Sequence, residues 1–573
     1  VTDAAVTDGP ASPPPAAPPG DGPRPAAGRA RARWLTLTLP GLWGAVLVGA
    51  LSFTPSLLPR PGLVQGATFG LTAVLGYGVG LVVAWVWRQF PDRAARTPRR
   101  SSWLTLAVVG GALLLVAVVL GYRWQVQTRE LVALAPETPL AQLLVPVVGA
   151  LVFTLLLLAA RGVRWLYRRV AGLLARWMGR NAARAVGGLV AAAVLVLLFS
   201  GVIRDLALGA LDRSFAALDT STEDSASQPT STDRSGGPDS LVAWDTLGRQ
   251  GRNFTGRGPT AEQISAFTGQ PAPTPIRAYA GLASADGVEE RARLAVDDLE
   301  RAGGFRRANL LVAGVTGTGW VDPAALTSFE YETGGDSAAV AIQYSYFPSW
   351  LSFLVDQDPA RQAGRALFDA VYERWSALPL DARPKLYVFG ESLGSFSMEA
   401  AFSGEFDLAN RTDGALFAGP PNFNPLHAEF TANREAGSPQ IAPVYRDGRT
   451  VRFSGDPAQP AAPADQTWSG SRVLYLQHPS DPISWWSPDL ILGRPDWLTE
   501  PRGRDVSDAM VWLPLVTFWQ TTFDMTEWVD TPNGHGHTFS QEYVDGWAQV
   551  LQPPGWTAAK ADELREIVAA GPS

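Results

Sequence analysis

The chain has 573 residues, of which 46% are apolar and 18% charged, with a net charge of −7 and no cysteine. It is too long for one ordinary domain, and its apolar content is high for a wholly soluble protein. The lack of cysteine excludes disulfides, Cys-ligated zinc, iron–sulfur clusters and thiol nucleophiles, and no basic stretch is interleaved with stacking aromatics, which argues against nucleic acid.

In chain order, residues 1–33 are rich in Pro and Ala and are expected to form a disordered cytoplasmic N-terminus. Uncharged apolar stretches follow at about 34–53, 63–87, 101–122, 138–160 and 185–203. At about 1.5 Å per residue each covers roughly 30 Å of hydrocarbon, so the region 34–205 is read as five transmembrane helices of a multi-pass plasma-membrane protein. Arginines collect before the first stretch, between Arg88 and Arg100, and between Arg161 and Arg184, whereas the other connections carry only Arg60, Arg123 and Arg129. Positive charge stays inside, so the N-terminus is expected in the cytoplasm and everything after Ile203 outside. Residues 164–180 alternate basic and bulky apolar side chains and read as an amphipathic helix on the inner surface. None of the five stretches holds an acidic, basic or histidine residue, which argues against a transporter and for an anchor or lipid-contacting platform.

Residues 219–240 are polar and acidic and are expected to be a disordered linker, leaving 241–573 as a second domain. There, 308–315, 338–346, 385–390, 414–419 and 472–478 read as short buried strands, with amphipathic helices such as 287–303 and 360–378 between them. Such alternation predicts a mostly parallel sheet flanked by helices, with ligands bound beyond the carboxyl ends of the strands.

The first of these strands runs into Thr316-Gly317-Thr318-Gly319. Its glycines suit a loop that turns backbone amides toward a carbonyl, with Thr318 N–H the preferred donor and Gly317 the alternative; an ordinary strand-to-helix turn capped by Asp322 is the competing reading. No lysine follows the glycines, so a phosphate loop fits less well. The third strand ends in Gly390-Glu391-Ser392-Leu393-Gly394, the spacing of a nucleophile elbow, which chance alone supplies in many Gly-rich chains. A buried strand before it and a helix of small residues after it are the setting the chemistry needs: Ser392 as nucleophile, and Leu393 N–H as first oxyanion donor.

After the last predicted strand, Asp481 precedes Pro482, where it can orient an imidazole or simply close an Asx turn. About 485–530 is expected to be a cap rich in aromatics, with Trp485, Trp486, Trp519 and Phe523 as candidates to line a substrate site or to pack the cap's own core. Of four histidines only His535 and His537 lie far enough along the chain to follow the acid. His537 is the preferred base and His535 the reserve; as a metal pair they lack a third ligand, and His478 reads as a polar residue at the site rim.

The elbow, the Thr-Gly-Thr-Gly loop, Asp481 and the Gly-His-Gly-His loop, behind five apolar stretches, resemble the actinobacterial membrane-anchored α/β-hydrolase family. That resemblance implies a Ser392–Asp481–His537 triad. The expected architecture is a five-helix transmembrane bundle followed by an α/β-hydrolase domain, with no cofactor and no metal. The resemblance names no substrate. The expectation is an extracytoplasmic esterase, lipase or acyltransferase acting on lipid or cell-envelope esters through an acyl-enzyme; a peptidase or amidase with the same triad and a non-catalytic membrane scaffold are the other classes.

Overall fold

The computed structural model describes residues 37–90, 98–200, 215–349, 351–352, 357–459, 461, 463, 466–527 and 531–571. The predicted N-terminal segment 1–33 lies outside them. Among the described residues, three helices, Gly62–Gln89, Arg100–Leu131 and Pro139–Leu174, are long and apolar enough to cross a membrane. Leu39–Leu51 is apolar but has only 13 residues, and Arg180–Ser200 is a helix of 21 residues whose side chains are described as far as 194. Large apolar groups point away from the protein, with Leu115 and Trp87 each 66% exposed and Val147 65%. A surface of that kind suits lipid and is unfavourable in water.

The helix Leu144–Leu174 runs straight through most of the segment expected to be a separate amphipathic helix. No proline follows Pro146 to interrupt its hydrogen-bond ladder, so the basic stretch continues the apolar helix instead of turning away from it.

The C-terminal part is built on seven parallel strands, β1 (Ile276–Ala280), β2 (Asn309–Gly314), β3 (Ser337–Ile342), β4 (Lys385–Glu391), β5 (Gly414–Ala418), β6 (Val451–Ser454) and β7 (Arg472–Leu476), in the order β1-β3-β2-β4-β5-β7-β6. Five of them occupy the predicted positions. The two edge strands were not predicted, because each carries an arginine where an apolar run is the signal. Arg277 in β1 is buried and held by both carboxylate oxygens of Glu330 at 2.7 Å, and Arg452 in β6 donates to Gly448 O and lies 4.1 Å over the Trp468 ring. Burial is tolerated because each charge has partners.

The expectation of a disordered linker at 219–240 is overturned. Asp233 O accepts from Arg277 N–H and Ser235 N–H donates to Arg277 O, so the segment bridges to the edge of β1. Arg234 is buried, Ser235 Oγ donates to Asp298, and Glu223 pairs with Arg249 and Arg257. Its polar composition lacks a core of its own, but its side-chain partners lie in and just after the helix Gly248–Gly256 and in the helix Val288–Ala302.

Candidate active site

β2, β4 and β5 lie side by side at the centre of the sheet, and their carboxyl ends carry the loop 315–322, the elbow and Gly419. At the elbow Ser392 has φ 52° and ψ −125°, a backbone conformation that costs a non-glycine residue about 1–3 kcal/mol. The strain persists because the surroundings fix it. Ser392 N–H donates to Ala418 O at 2.9 Å, and the helix Leu393–Glu399 packs directly onto the strands. A Cβ on Gly390 would stand 2.5 Å from Gly394 C, and one on Gly394 would stand 2.5 Å from Gly314 O, so both motif glycines are required by backbone-to-backbone contact.

Asp481 is wholly buried and accepts three hydrogen bonds, from Ile483 N at 2.8 Å, Ser484 Oγ at 3.0 Å and His537 Nδ1 at 2.7 Å. It therefore caps the turn Pro482–Trp485 and holds the imidazole at once. The two readings open at the sequence level describe two oxygens of one carboxylate. The His537 ring lies against Gly419, where an added Cβ would come within 2.5 Å of Cε1. Since Ser392 N–H is hydrogen-bonded to Ala418 O, Ser392, His537 and Asp481 all lie near the end of β5. Ser392 and His537 are 9% and 5% exposed, so the group is sheltered from bulk water.

Profiles of known families bear on this arrangement. That of the alpha/beta-hydrolase family matches residues 276–564, and that of the family's N-terminus matches residues 53–259. The chain belongs to the alpha/beta-hydrolase family. No curated protein and no solved structure matched it.

Within this alpha/beta-hydrolase fold, the loop after β2 commits Thr316 N–H to Trp320 O at 2.9 Å and Gly319 N–H to Thr316 O at 2.8 Å. Gly317 N–H leans toward Ser349 Oγ at 3.4 Å. Asp322 does cap the next helix, accepting from Ala324 N at 2.6 Å, so the capped turn and the donor loop coexist.

The two loop histidines diverge. His537 meets Asp481, while His535 Nδ1 meets Asp505 at 3.1 Å, which also accepts from Ser480 Oγ at 2.5 Å. They do not point at a common centre. Ser480 in turn accepts from Gly536 N at 2.8 Å, so this chain braces the loop that carries His537. His478 is not at the rim. It is buried, Nδ1 donates to Gly536 O at 2.9 Å, Nε2 donates to Glu542 at 3.0 Å, and its ring stacks on Phe539 at 4.1 Å. Burial opposes its protonation, but the hydrogen bond and charge of Glu542 outweigh it and raise its pKa.

A further buried group escaped sequence reasoning. Glu391, next to Ser392, accepts from Tyr543 Oη at 2.7 Å and faces Asp322. Burial pushes both carboxyls up, Asp322 to about 7 and Glu391 well above its ordinary value, with the negative charge of Asp322 adding to the rise of Glu391. Glu391 thus lies between the loop 315–322, the elbow and the helix Glu542–Leu551. The only local signal was an acidic residue inside an otherwise apolar elbow.

The cap aromatics divide by role. Trp485 is 1% exposed in a cluster with Leu490, Trp497, Leu498, Val506 and Met510, so it packs the cap and does not line a substrate site. Trp486, Trp519 and Phe523 are half-buried, and Trp486 donates its indole N–H to Thr522 Oγ1 at 2.8 Å.

Proposed function

We propose that the chain is a membrane-anchored serine hydrolase that opens esters through an acyl-enzyme. The observation that carries this reading is the Asp481–His537 hydrogen bond placed against the β5 end to which the strained Ser392 is bonded. Ser392 Oγ attacks the carbonyl carbon while His537 Nε2 takes its proton; Asp481 keeps the other ring proton on Nδ1 and stabilises the imidazolium. Leu393 N–H and Thr318 N–H receive the oxyanion. His537 then returns the proton to the leaving alcohol, and water or an acceptor hydroxyl releases the acyl group.

The acyl donor is a lipid or cell-envelope ester. Support comes from the outward apolar faces of Gly62–Gln89, Arg100–Leu131 and Pro139–Leu174, which hold the domain at a bilayer. The arginine distribution favours five spans with the N-terminus in the cytoplasm and the hydrolase domain outside.

A fluorophosphonate probe tests the nucleophile. Labelling of the full-length chain that disappears in Ser392→Ala is expected, and equal labelling of both proteins overturns the assignment.

A further inference from the structure

The connection between the first two N-terminal helices, residues 52–61, is packed into the C-terminal domain. Leu57 is fully buried in the same cluster as Trp485 and Trp497. Ser56 Oγ and the N–H groups of Leu57 at 3.1 Å and Leu58 at 3.4 Å all donate to Asp524, at the end of the helix Val516–Asp524. Arg60 stands 3.8 Å from the same carboxylate, and neither side chain is exposed. One turn earlier Gln520 Nε2 donates to Thr54 O at 2.9 Å. On the membrane side Gln125 accepts from Arg60 N–H at 2.8 Å.

A simple tether needs none of this. Withdrawing an arginine and an aspartate from water is costly, and the cost is offset only when the partners are held in one geometry. That geometry leads to the site. Trp485, packed against Leu57, donates its indole N–H to His478 O at 2.9 Å and ends the short helix whose N-cap is Asp481. His478 braces Gly536, the residue before His537.

We propose that the 52–61 loop is a positioning element of the catalytic site, fixing Trp485 and the helix Val516–Asp524 so that Asp481 and His537 keep their register with Ser392. The membrane part then belongs to the enzyme and does more than anchor it. This inference rests on the triad reading above.

The test uses the full-length chain in detergent, with saturating and half-saturating fluorophosphonate concentrations. Asp524→Ala is expected to slow the saturating labelling rate about ten-fold or more, with the half-saturating concentration little changed, because misplacement by a fraction of an ångström acts on the reaction step. Arg60→Met with Asp524→Leu is expected to recover most of the rate, since no buried charge is left without a partner. Amide exchange at Leu57 and Leu58, slow in the wild type and fast in Asp524→Ala, reports docking without any chemistry. A wild-type rate in Asp524→Ala despite fast exchange overturns the proposal, as does a loss that only tracks the unfolded fraction and is not recovered by the double variant. A wild type that never labels, though its docking amides exchange slowly, overturns the Ser392 reading beneath it.

Discussion

Asp481 and Asp524 are both wholly buried, and both are surrounded by donors from backbone and hydroxyl groups. Their partners separate them. Asp481 faces the imidazole of His537, beside a strained serine. Asp524 faces the guanidinium of Arg60, 3.8 Å away. Burial and pairing alone therefore do not mark a carboxylate that can orient a base; the chemistry of its partner does.

The comparison breaks most sharply at Asp481. Asp481→Asn keeps a side chain able to cap Pro482–Trp485 but no longer holds the imidazole proton on Nδ1. Fluorophosphonate labelling is expected to slow about 10³–10⁴-fold while the thermal midpoint in detergent moves by only a few degrees. A midpoint collapse with the same loss of rate would make Asp481 a structural residue.

Gly419→Ala approaches the same pair from the imidazole side. Gly419 has φ +52°, and the new methyl would meet His537 Cε1 at 2.5 Å. Displacing the ring is expected to cost about 10²-fold in labelling rate, read from the same assay. An unchanged rate would mean that His537 is not the base.

The smallest effect belongs to Asp524 and to pH. Burial pushes its carboxyl up to about 6, opposed by Arg60 and by hydrogen bonds from Ser56, Leu58 and Leu57. The folded state therefore holds this proton more tightly than the unfolded chain, whose value is near 3.8. Its contribution to stability is complete below about pH 4 and is lost as pH rises through about 6. Thermal midpoints of the full chain across that window are expected to fall by a few degrees more in the wild type than in Asp524→Asn. Parallel curves would show that Asp524 does not titrate there.

Much of the site could be read from local pattern. The elbow sits between a buried strand and a helix, and strand, turn and helix are neighbours in sequence, so Gly390, Ser392 and Gly394 declare themselves together. Asp481 and His537 could be nominated by order along the chain, but their 2.7 Å contact joins positions separated by 56 residues. His478 was misplaced at the rim because Glu542 and Gly536, which bury and hold it, are distant in sequence. The segment 219–240 was misread for the same reason: polar composition reports the absence of an internal core, not the presence of Arg249, Arg257 and Asp298 elsewhere. Trp485 and Trp486 are adjacent and chemically alike, yet one packs with Leu57 inside the cap and the other is half-buried.

By itself the sequence determined the apolar helices, five central strands, the elbow and the order of the candidate residues, because hydrophobic periodicity and turn chemistry act over a few neighbouring residues. Tertiary structure alone decided which carboxylate meets which base. It also decided that Arg60, a lone charge between two apolar stretches, is buried against Asp524 and not left at the membrane surface. A buried charge is tolerated only beside its partner, and that partner is chosen by packing, 464 residues farther along the chain.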